Sequence, residues 1–349
     1  IPGIWLKKNG KMISNPPWPL VKDLDLIPFP DYDCTDSYIL DKGSVKPLTP
    51  ELLKEYMQQH HYDLKSGTYG IMSSRGCPYK CSYCGNSFYR ELYKGNYSVR
   101  RRSMENVVEE LVKVKESFPY IKGVRFHDDT FLAASHKELC KFSEEYRKKI
   151  DLPFVCYSSP YEITHEKLRT LCDAGLIRIG MGIQTGSSRM KKIYERHISE
   201  ERILGATKIL NEYSSQLMPP WYDLIIDNPY EQTEDTIETF DLLSQIPRPY
   251  TIHIFSFTFF PGTNMYEKAI KDGIITDGDE NIYNKPYSII KITYLNLVFY
   301  CYKYNRYIPL FLCHFLSKRW VVRMLNRKSL EPVYRAIFSL AKRTVRLIS

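Results

Sequence analysis

The chain has 349 residues, of which 43% are hydrophobic and 26% are charged, so it can bury the core of one large domain and also carry an extension. Its formal net charge of +9 arises near the C-terminus, because residues 303–349 contain eleven Lys and Arg and one acid, Glu331. Nine cysteines, mostly scattered, argue against a disulfide framework and favour a reducing, cytoplasmic location.

Residues 1–66 are predicted to form an extended linker that wraps the core. Proline-rich runs at 15–19 and 27–33 interrupt any regular pattern, and residues 50–59 have the pattern of a short helix. Because the first residue is Ile1 rather than Met, we expect an N-terminal portion to precede this sequence.

Residues 67–275 alternate between strand-like and helix-like patterns. The predicted strands are 69–73, 121–126, 154–157, 177–183, 222–226 and 252–259. The predicted helices are 103–117, 136–149, 165–174, 187–213 and 234–245. Ser135 and Glu138 have the spacing of a capping box, which begins a helix. This alternation is typical of parallel strands joined by crossover helices. Six units are too few for a closed eightfold barrel, so we predict an α/β fold with a partial (β/α)6 TIM-like barrel.

Residues 276–349 are predicted to form a helical, basic extension. Helices packed on the barrel with a solvated basic face are the favoured interpretation. Peripheral attachment of residues 303–349 to an anionic membrane is the second. Binding of nucleic acid ranks third, because no recognised nucleic-acid module accompanies the charge. No uncharged run approaches the roughly 20 residues that a spanning helix needs.

Three clustered cysteines, Cys77, Cys81 and Cys84, have the spacing C-x3-C-x2-C and follow the first predicted strand. Three thiolates can hold three irons of a 4Fe-4S cluster and leave the fourth iron open, whereas an electron carrier closes its cluster with four. Zinc is the main rival, but a structural zinc site wants four ligands and no second Cys or His pair lies at such a spacing. In barrel folds the loops after the strands build the active site, and this loop is one of them.

The triad with an aromatic residue, Tyr83, before its last cysteine resembles the radical S-adenosylmethionine (SAM) superfamily. Further segments match the cobalamin-dependent members of that group: residues 23–33, which resemble the linker after a cobalamin-binding domain, and residues 75–77, 128–131, 182–187, 223–229 and 261–263. The resemblance implies a cluster that binds SAM at its open iron. One electron then cleaves SAM to methionine and a 5′-deoxyadenosyl radical, which abstracts hydrogen from an unreactive carbon.

The resemblance also implies four contacts to SAM, each with a simpler structural alternative. Tyr83 would flank the adenine. Asp128 would face the amino group, although it or Asp129 could merely cap a turn. Gln184 would hydrogen-bond the ribose, although many relatives carry Glu at this position. The alternative is that it only belongs to a tight strand–helix turn. Arg196 would pair with the carboxylate, or be an exposed helix residue.

No catalytic residue is assigned from the sequence. Asp223, near a later strand end, either shapes a substrate pocket or terminates its strand. His253 is interpreted as a core histidine, since it lies in an apolar run.

The sequence therefore predicts a radical SAM enzyme that acts on an unknown small-molecule or lipid-like substrate. Methyl transfer is the favoured reaction. We expect cobalamin to be held by a domain upstream of Ile1. We expect the electrons to come from a low-potential donor such as flavodoxin or ferredoxin. Two alternatives stay open: a radical SAM enzyme without cobalamin, and a non-enzymatic iron–sulfur or zinc protein whose basic tail is an interaction surface.

Overall fold

A computed structural model describes residues 1–59, 67–278, 282 and 286–348, with side chains to residue 340. Its strands are β1 (Trp5–Lys8), β2 (Lys11–Ser14), β3 (Tyr38–Asp41), β4 (Ser44–Pro47), β5 (Thr68–Ile71), β6 (Ser74–Arg75), β7 (Arg100–Arg101), β8 (Gly123–Phe126), β9 (Phe154–Ser158), β10 (Leu176–Gln184), β11 (Trp221–Ile226) and β12 (Thr251–Ser256). Its helices are α1 (Pro50–Gln59), α2 (Gly85–Leu92), α3 (Met104–Ser117), α4 (His136–Lys149), α5 (His165–Ala174), α6 (Ser188–Ile193), α7 (Glu200–Glu212), α8 (Thr233–Gln245), α9 (Asn264–Lys271), α10 (Tyr294–Lys303), α11 (Leu310–Ser317), α12 (Arg319–Leu325) and α13 (Glu331–Ile348).

A six-stranded parallel sheet forms the centre of the molecule, in the order β12-β11-β10-β9-β8-β5. Each strand therefore pairs with its neighbour in chain order, as in a barrel built from successive β/α units. Thr68 of β5 pairs with Gly123 at one end of the sheet, and Trp221 pairs with Thr251 of β12 at the other. The predicted α/β class and partial (β/α)6 barrel are confirmed.

The last predicted strand, 252–259, is too long. Strand β12 ends at Ser256, although Phe257 and Phe259 continue the apolar run. Both phenylalanines are buried, and they pack with Tyr194 and Met265 in a small second core above the sheet. An apolar loop that enters a separate cluster has the same local pattern as a strand, so its sequence alone does not mark the end.

The helix predicted over 187–213 is two helices, α6 and α7. Tyr194 ends the first, and Ser199 caps the second by accepting a hydrogen bond from the amide of Arg202. Between them Glu195 adopts a left-handed conformation, with φ of 51°, which turns Arg196 into the protein. The other helices lie close to prediction, and the capping box at Ser135 and Glu138 is present.

The N-terminal region contains more structure than the predicted linker. Strands β1 and β2 form one antiparallel hairpin, and β3 and β4 form another. Between them the chain lies against the barrel, where Asp25 accepts a hydrogen bond from the amide of Ser103 at 2.9 Å. The predicted boundary at residue 66 lies outside the described residues.

The C-terminal region is helical, as predicted. Its helices pack against α8 and β12, and they bury Val298, Phe299, Tyr302 and Val322. None of the helices in the described part of the chain is long and apolar enough to cross a membrane.

Candidate active site

The three clustered cysteines lie in one loop between β6 and α2, at the carboxyl edge of the sheet. Cys81 is buried, whereas Cys77 and Cys84 are half-buried, and Cys84 is the residue that precedes the first turn of α2. Burial, together with the nearby Asp129, Cys84 and Cys81, raises the pKa of the Cys77 thiol to about 12. Burial likewise raises the pKa of Cys84. Such thiols become thiolates when a metal replaces the proton.

The first half of the loop is held by two side chains from the segment that follows. The Arg90 guanidinium donates a hydrogen bond to the Cys77 carbonyl at 2.7 Å, and the Cys77 amide donates to the Tyr97 hydroxyl at 2.9 Å. Gly76 has φ of 89°, and a Cβ there would lie 2.9 Å from the Tyr97 hydroxyl. The loop therefore needs glycine before Cys77 for both its conformation and its space.

The second half of the loop is tied to two helices. The Ser82 amide and hydroxyl donate to the carbonyls of Tyr194 at 2.9 Å and Ile193 at 2.8 Å. The amide of Met265, in α9, donates to the Ser82 carbonyl at 2.9 Å. Hydrogen bonds to neighbouring elements therefore hold the backbone of both halves of the loop.

Asp128 and Asp129 follow β8, and the structure gives them different surroundings. Asp128 is buried and accepts hydrogen bonds from the Ser73 amide at 3.1 Å, from the Ser73 hydroxyl at 2.7 Å and from the Ser74 hydroxyl. It therefore ties β8 to the start of the cysteine loop. Asp129 is exposed and close enough to Cys77 and Cys84 to raise their pKa.

Arg196 lies beneath the cysteine loop, buried and outside any helix, so the alternative of an exposed helix arginine is wrong. Its guanidinium is 3.5 Å from the Cys81 sulfur and also donates to the Gly182 carbonyl. A Cβ on Gly182 would lie 2.5 Å from the Gln184 amide and 3.6 Å from Arg196. Glycine at 182 thus allows both side chains to approach the strand end. Gln184 itself has φ of 71°, at the irregular end of β10.

A cavity of about 260 Å³ opens beside this group. Its lining includes Tyr83, Gln184, Asp223, Phe255 and Tyr287. The structure therefore brings Tyr83 and Gln184 to one cavity. Arg196 lies next to Cys81 instead, and Asp128 is hydrogen-bonded to Ser73 and Ser74.

The barrel lumen holds a histidine–carboxylate pair that the sequence analysis did not identify. His253 Nδ1 is 3.4 Å from the Asp223 carboxylate, and burial raises the pKa of Asp223. The His253 side chain is 44% exposed, so its interpretation as a core histidine is wrong. Successive residues of a strand face opposite sides, and the alternation of β11 and β12 would have placed both side chains on one face.

The lower end of the lumen is filled by Trp221. Its indole stacks on His253 with ring centroids 6.1 Å apart, and the guanidinium groups of Arg125 and Arg178 lie over it at 5.5 and 5.1 Å. A Cβ on Gly180 would lie only 2.2 Å from the indole. This aromatic and cationic layer closes the lumen below the cavity.

Residues 71–243 match the family model of the radical SAM superfamily. This chain belongs to the radical SAM superfamily. The three Cys thiols of this loop fit the donor set that a 4Fe-4S cluster with one open iron requires. Within the described residues no group of three or more His, Cys, Asp or Glu side chains is arranged to hold a single metal ion.

Two curated proteins illustrate its relatives. An uncharacterized methyltransferase of Pyrococcus horikoshii is 24% identical over 275 residues, which cover 78% of this chain and 53% of that protein. The cytidylyl-2-hydroxyethylphosphonate methyltransferase of Streptomyces wedmorensis is 22% identical over 296 residues, which cover 80% of this chain and 49% of that protein. The chain thus spans about half the length of the curated relatives it matches.

Among solved structures, the fold is similar to that of the radical SAM methyltransferase TsrM from Kitasatospora setae, determined with cobalamin and a 4Fe-4S cluster bound. The TM-score is 0.54 at 14% identity, and the match covers 78% of this chain and 49% of that one. At this identity the likeness supports the fold alone.

Proposed function

We propose that this chain is the radical SAM part of a cobalamin-dependent methyltransferase that acts on a small-molecule or lipid-like substrate. The observation that carries the proposal is the cysteine loop, which is fixed at the carboxyl edge of the barrel beside a cavity. Methyl transfer is supported by the names of both curated relatives. Cobalamin is supported by the bound cofactor of the Kitasatospora setae protein and by the linker-like residues 23–33.

In this proposal Cys77, Cys81 and Cys84 hold the 4Fe-4S cluster. When bound, the cluster and SAM supply the reductive cleavage that starts radical chemistry, and the protein orients them. The buried cation of Arg196 lies 3.5 Å from the Cys81 sulfur, so it stabilises negative charge on that thiolate. It is also a buried cation available to a carboxylate bound beside the loop.

Asp129 rather than Asp128 is our candidate for the SAM ammonium group. All of the hydrogen bonds described for Asp128 are to Ser73 and Ser74, whereas Asp129 is close enough to Cys77 and Cys84 to raise the pKa of both thiols. Tyr83 and Gln184 would then contact the adenosine from the cavity wall, and the layer around Trp221 excludes water from below.

The cobalamin would be held by a separate domain, for which the segment before β5 is the natural connection. We further propose that a low-potential donor such as flavodoxin or ferredoxin reduces the cluster.

The experiment is anaerobic reconstitution with iron and sulfide, followed by dithionite and SAM. We expect a low-temperature EPR signal of a reduced 4Fe-4S cluster that shifts when SAM is added, together with release of 5′-deoxyadenosine. Cys81→Ala should lose both effects. Cys140→Ala is the matched control, because Cys140 is exposed on α4 and lies outside the loop.

A cluster that forms but neither shifts with SAM nor cleaves it would refute the enzymatic proposal. Tight zinc binding without a cluster would refute the metal assignment. If SAM is cleaved, cobalamin dependence is tested separately, by adding methylcobalamin and following S-adenosylhomocysteine in the full-length protein.

A further inference from the structure

The C-terminal helices have one face that is firmly docked on the barrel. Phe299 of α10 packs on Phe240 of α8 with ring centroids 4.7 Å apart. The Asn296 amide donates to the Asp227 carboxylate at 2.8 Å, which joins α10 to the end of β11. Because these contacts are buried, the extension presents a fixed outer surface.

That outer surface carries large apolar side chains. On α11 Phe311 is 75% exposed and Phe315 is 45% exposed, and on α12 Trp320 is 55% exposed and Met324 is 48% exposed. The Phe315 and Trp320 rings touch edge to face, with centroids 5.7 Å apart. Residues four apart share a helix face, so these four side chains form one continuous outer patch.

A second apolar row lies on α13. Val333 is 51% exposed, Ile337 is 47% exposed and Leu340 is 67% exposed, and their spacing of four and three residues places them on one face. Tyr334 and Phe338 lie about a third of a turn away on the same helix and are buried. The apolar side of the helix is therefore wider than the part that packs on the protein.

Basic side chains accompany the outer patch. Lys318, Arg327 and Lys328 are exposed, and none forms an ion pair with an acid in the described part of the chain. Arg323 and Arg335 are paired, with Glu234 and Glu331. Since Glu331 is the only acid in residues 303–349, the surface is positive as well as apolar.

We propose that the outer patch and the row on α13 bind the surface of an anionic membrane. The aromatic and aliphatic side chains enter the headgroup region, where Trp and Phe are favoured. The lysines and arginines contact lipid phosphates, with their stems along the apolar surface. A merely solvated face would expose polar side chains instead. The proposal does not depend on the cluster or on the reaction.

The test is sedimentation of the reconstituted protein with vesicles of phosphatidylcholine alone or mixed with phosphatidylglycerol. We expect binding to the anionic vesicles and much weaker binding to the neutral ones. Lys318→Glu with Lys328→Glu should weaken binding by about fivefold or more for each site. The matched control is Lys137→Glu with Lys208→Glu, because these two lysines are exposed on α4 and α7.

Phe311→Ser with Trp320→Ser tests the apolar part. Both residues are largely exposed, so the fold should persist, and far-UV circular dichroism checks this. We expect a loss of binding by about tenfold or more, whereas Trp5→Ser, at a tryptophan that is even more exposed than Trp320, should bind as the wild type does.

Three results would overturn the proposal. The first is a wild-type protein that binds neither vesicle. The second is equal loss of binding in the control variants. The third is binding that depends on charge but is unchanged by the Phe311 and Trp320 substitutions, since that is electrostatic adsorption without insertion and would equally suit a nucleic acid.

Discussion

Asp128→Asn separates two roles for a carboxylate beside the cysteine loop. If Asp128 binds the SAM amino group, its loss should affect SAM and leave stability nearly unchanged. If it tethers the loop, as its bonds to Ser73 and Ser74 indicate, its loss should destabilise the protein. Asn has the same size but only one acceptor oxygen, so the substitution removes the charge and also one of the two oxygens that accept hydrogen bonds.

The magnitude follows from the three hydrogen bonds that Asp128 accepts. A hydrogen bond to a charged group contributes about 1.5–3 kcal/mol, and one between neutral groups about 0.5–1.5 kcal/mol. In Asn the two bonds from the Ser73 and Ser74 hydroxyls become neutral ones, whereas the Ser73 amide loses its acceptor, because an NH2 group cannot accept a hydrogen bond. Together these changes lower the free energy of unfolding by about 4–5 kcal/mol. Ser74→Ala removes one donor and should cost about 1.5–3 kcal/mol.

Urea unfolding followed by circular dichroism gives these free energies. Asp129→Asn is the matched control, because its side chain is exposed, and we expect a change below about 0.5 kcal/mol. The double variant Asp128→Asn with Ser74→Ala should lose less than the sum of the single losses. If Asp128→Asn leaves stability unchanged yet abolishes the EPR shift caused by SAM, the tether is refuted.

Three further predictions concern the surroundings of the site. Arg196→Lys should cost about 1.5–3 kcal/mol and shift the EPR signal of the reduced cluster, because a lysine cannot reach both the Cys81 sulfur and the Gly182 carbonyl; an unchanged spectrum and urea midpoint would contradict this. Gly180→Ala should lower the free energy of unfolding in urea by about 1–3 kcal/mol, because its methyl group would overlap the Trp221 indole. Adding Trp221→Phe should recover part of that loss. If the losses of the two single variants simply add in the double variant, the overlap is not the cause. Burial raises the pKa of Glu231 from 4.5 to about 8, so folding favours its protonated form and stability is lost as the pH rises through this window. Glu231→Gln should therefore stabilise the protein, relative to wild type, more at about pH 8.5 than at about pH 5.5. Equal stabilisation at both pH values would show that the pKa of Glu231 is not raised on folding.

The sheet was predictable because its strands are short apolar runs separated by helices with clear starts. The capping box at Ser135 marks the beginning of α4, and Gly175 ends α5 in a left-handed conformation. The break between α6 and α7 was not predictable, because Glu195 adopts a positive φ that glycine would normally signal. The hairpins at the N-terminus were missed because the prolines between them dominated the pattern.

The cysteine loop was predictable from spacing, but its supports were not. Arg90 and Tyr97 reach Cys77 from later in the chain, and only tertiary structure brings them there. The pair of His253 and Asp223 depends on the register of two strands, in which these two residues are direct partners. No local pattern in either strand reveals that register.

The residues that line the cavity come from distant parts of the chain. Tyr83 comes from the loop after the first barrel strand, whereas Tyr287 follows the last one and lies 5.9 Å, centroid to centroid, from Phe255. The carbonyl of Tyr287 accepts a hydrogen bond from the amide of Ser256 at 2.8 Å. Substitutions in the segment after β12 can therefore change the shape of the cavity while they leave the cysteine loop unaltered.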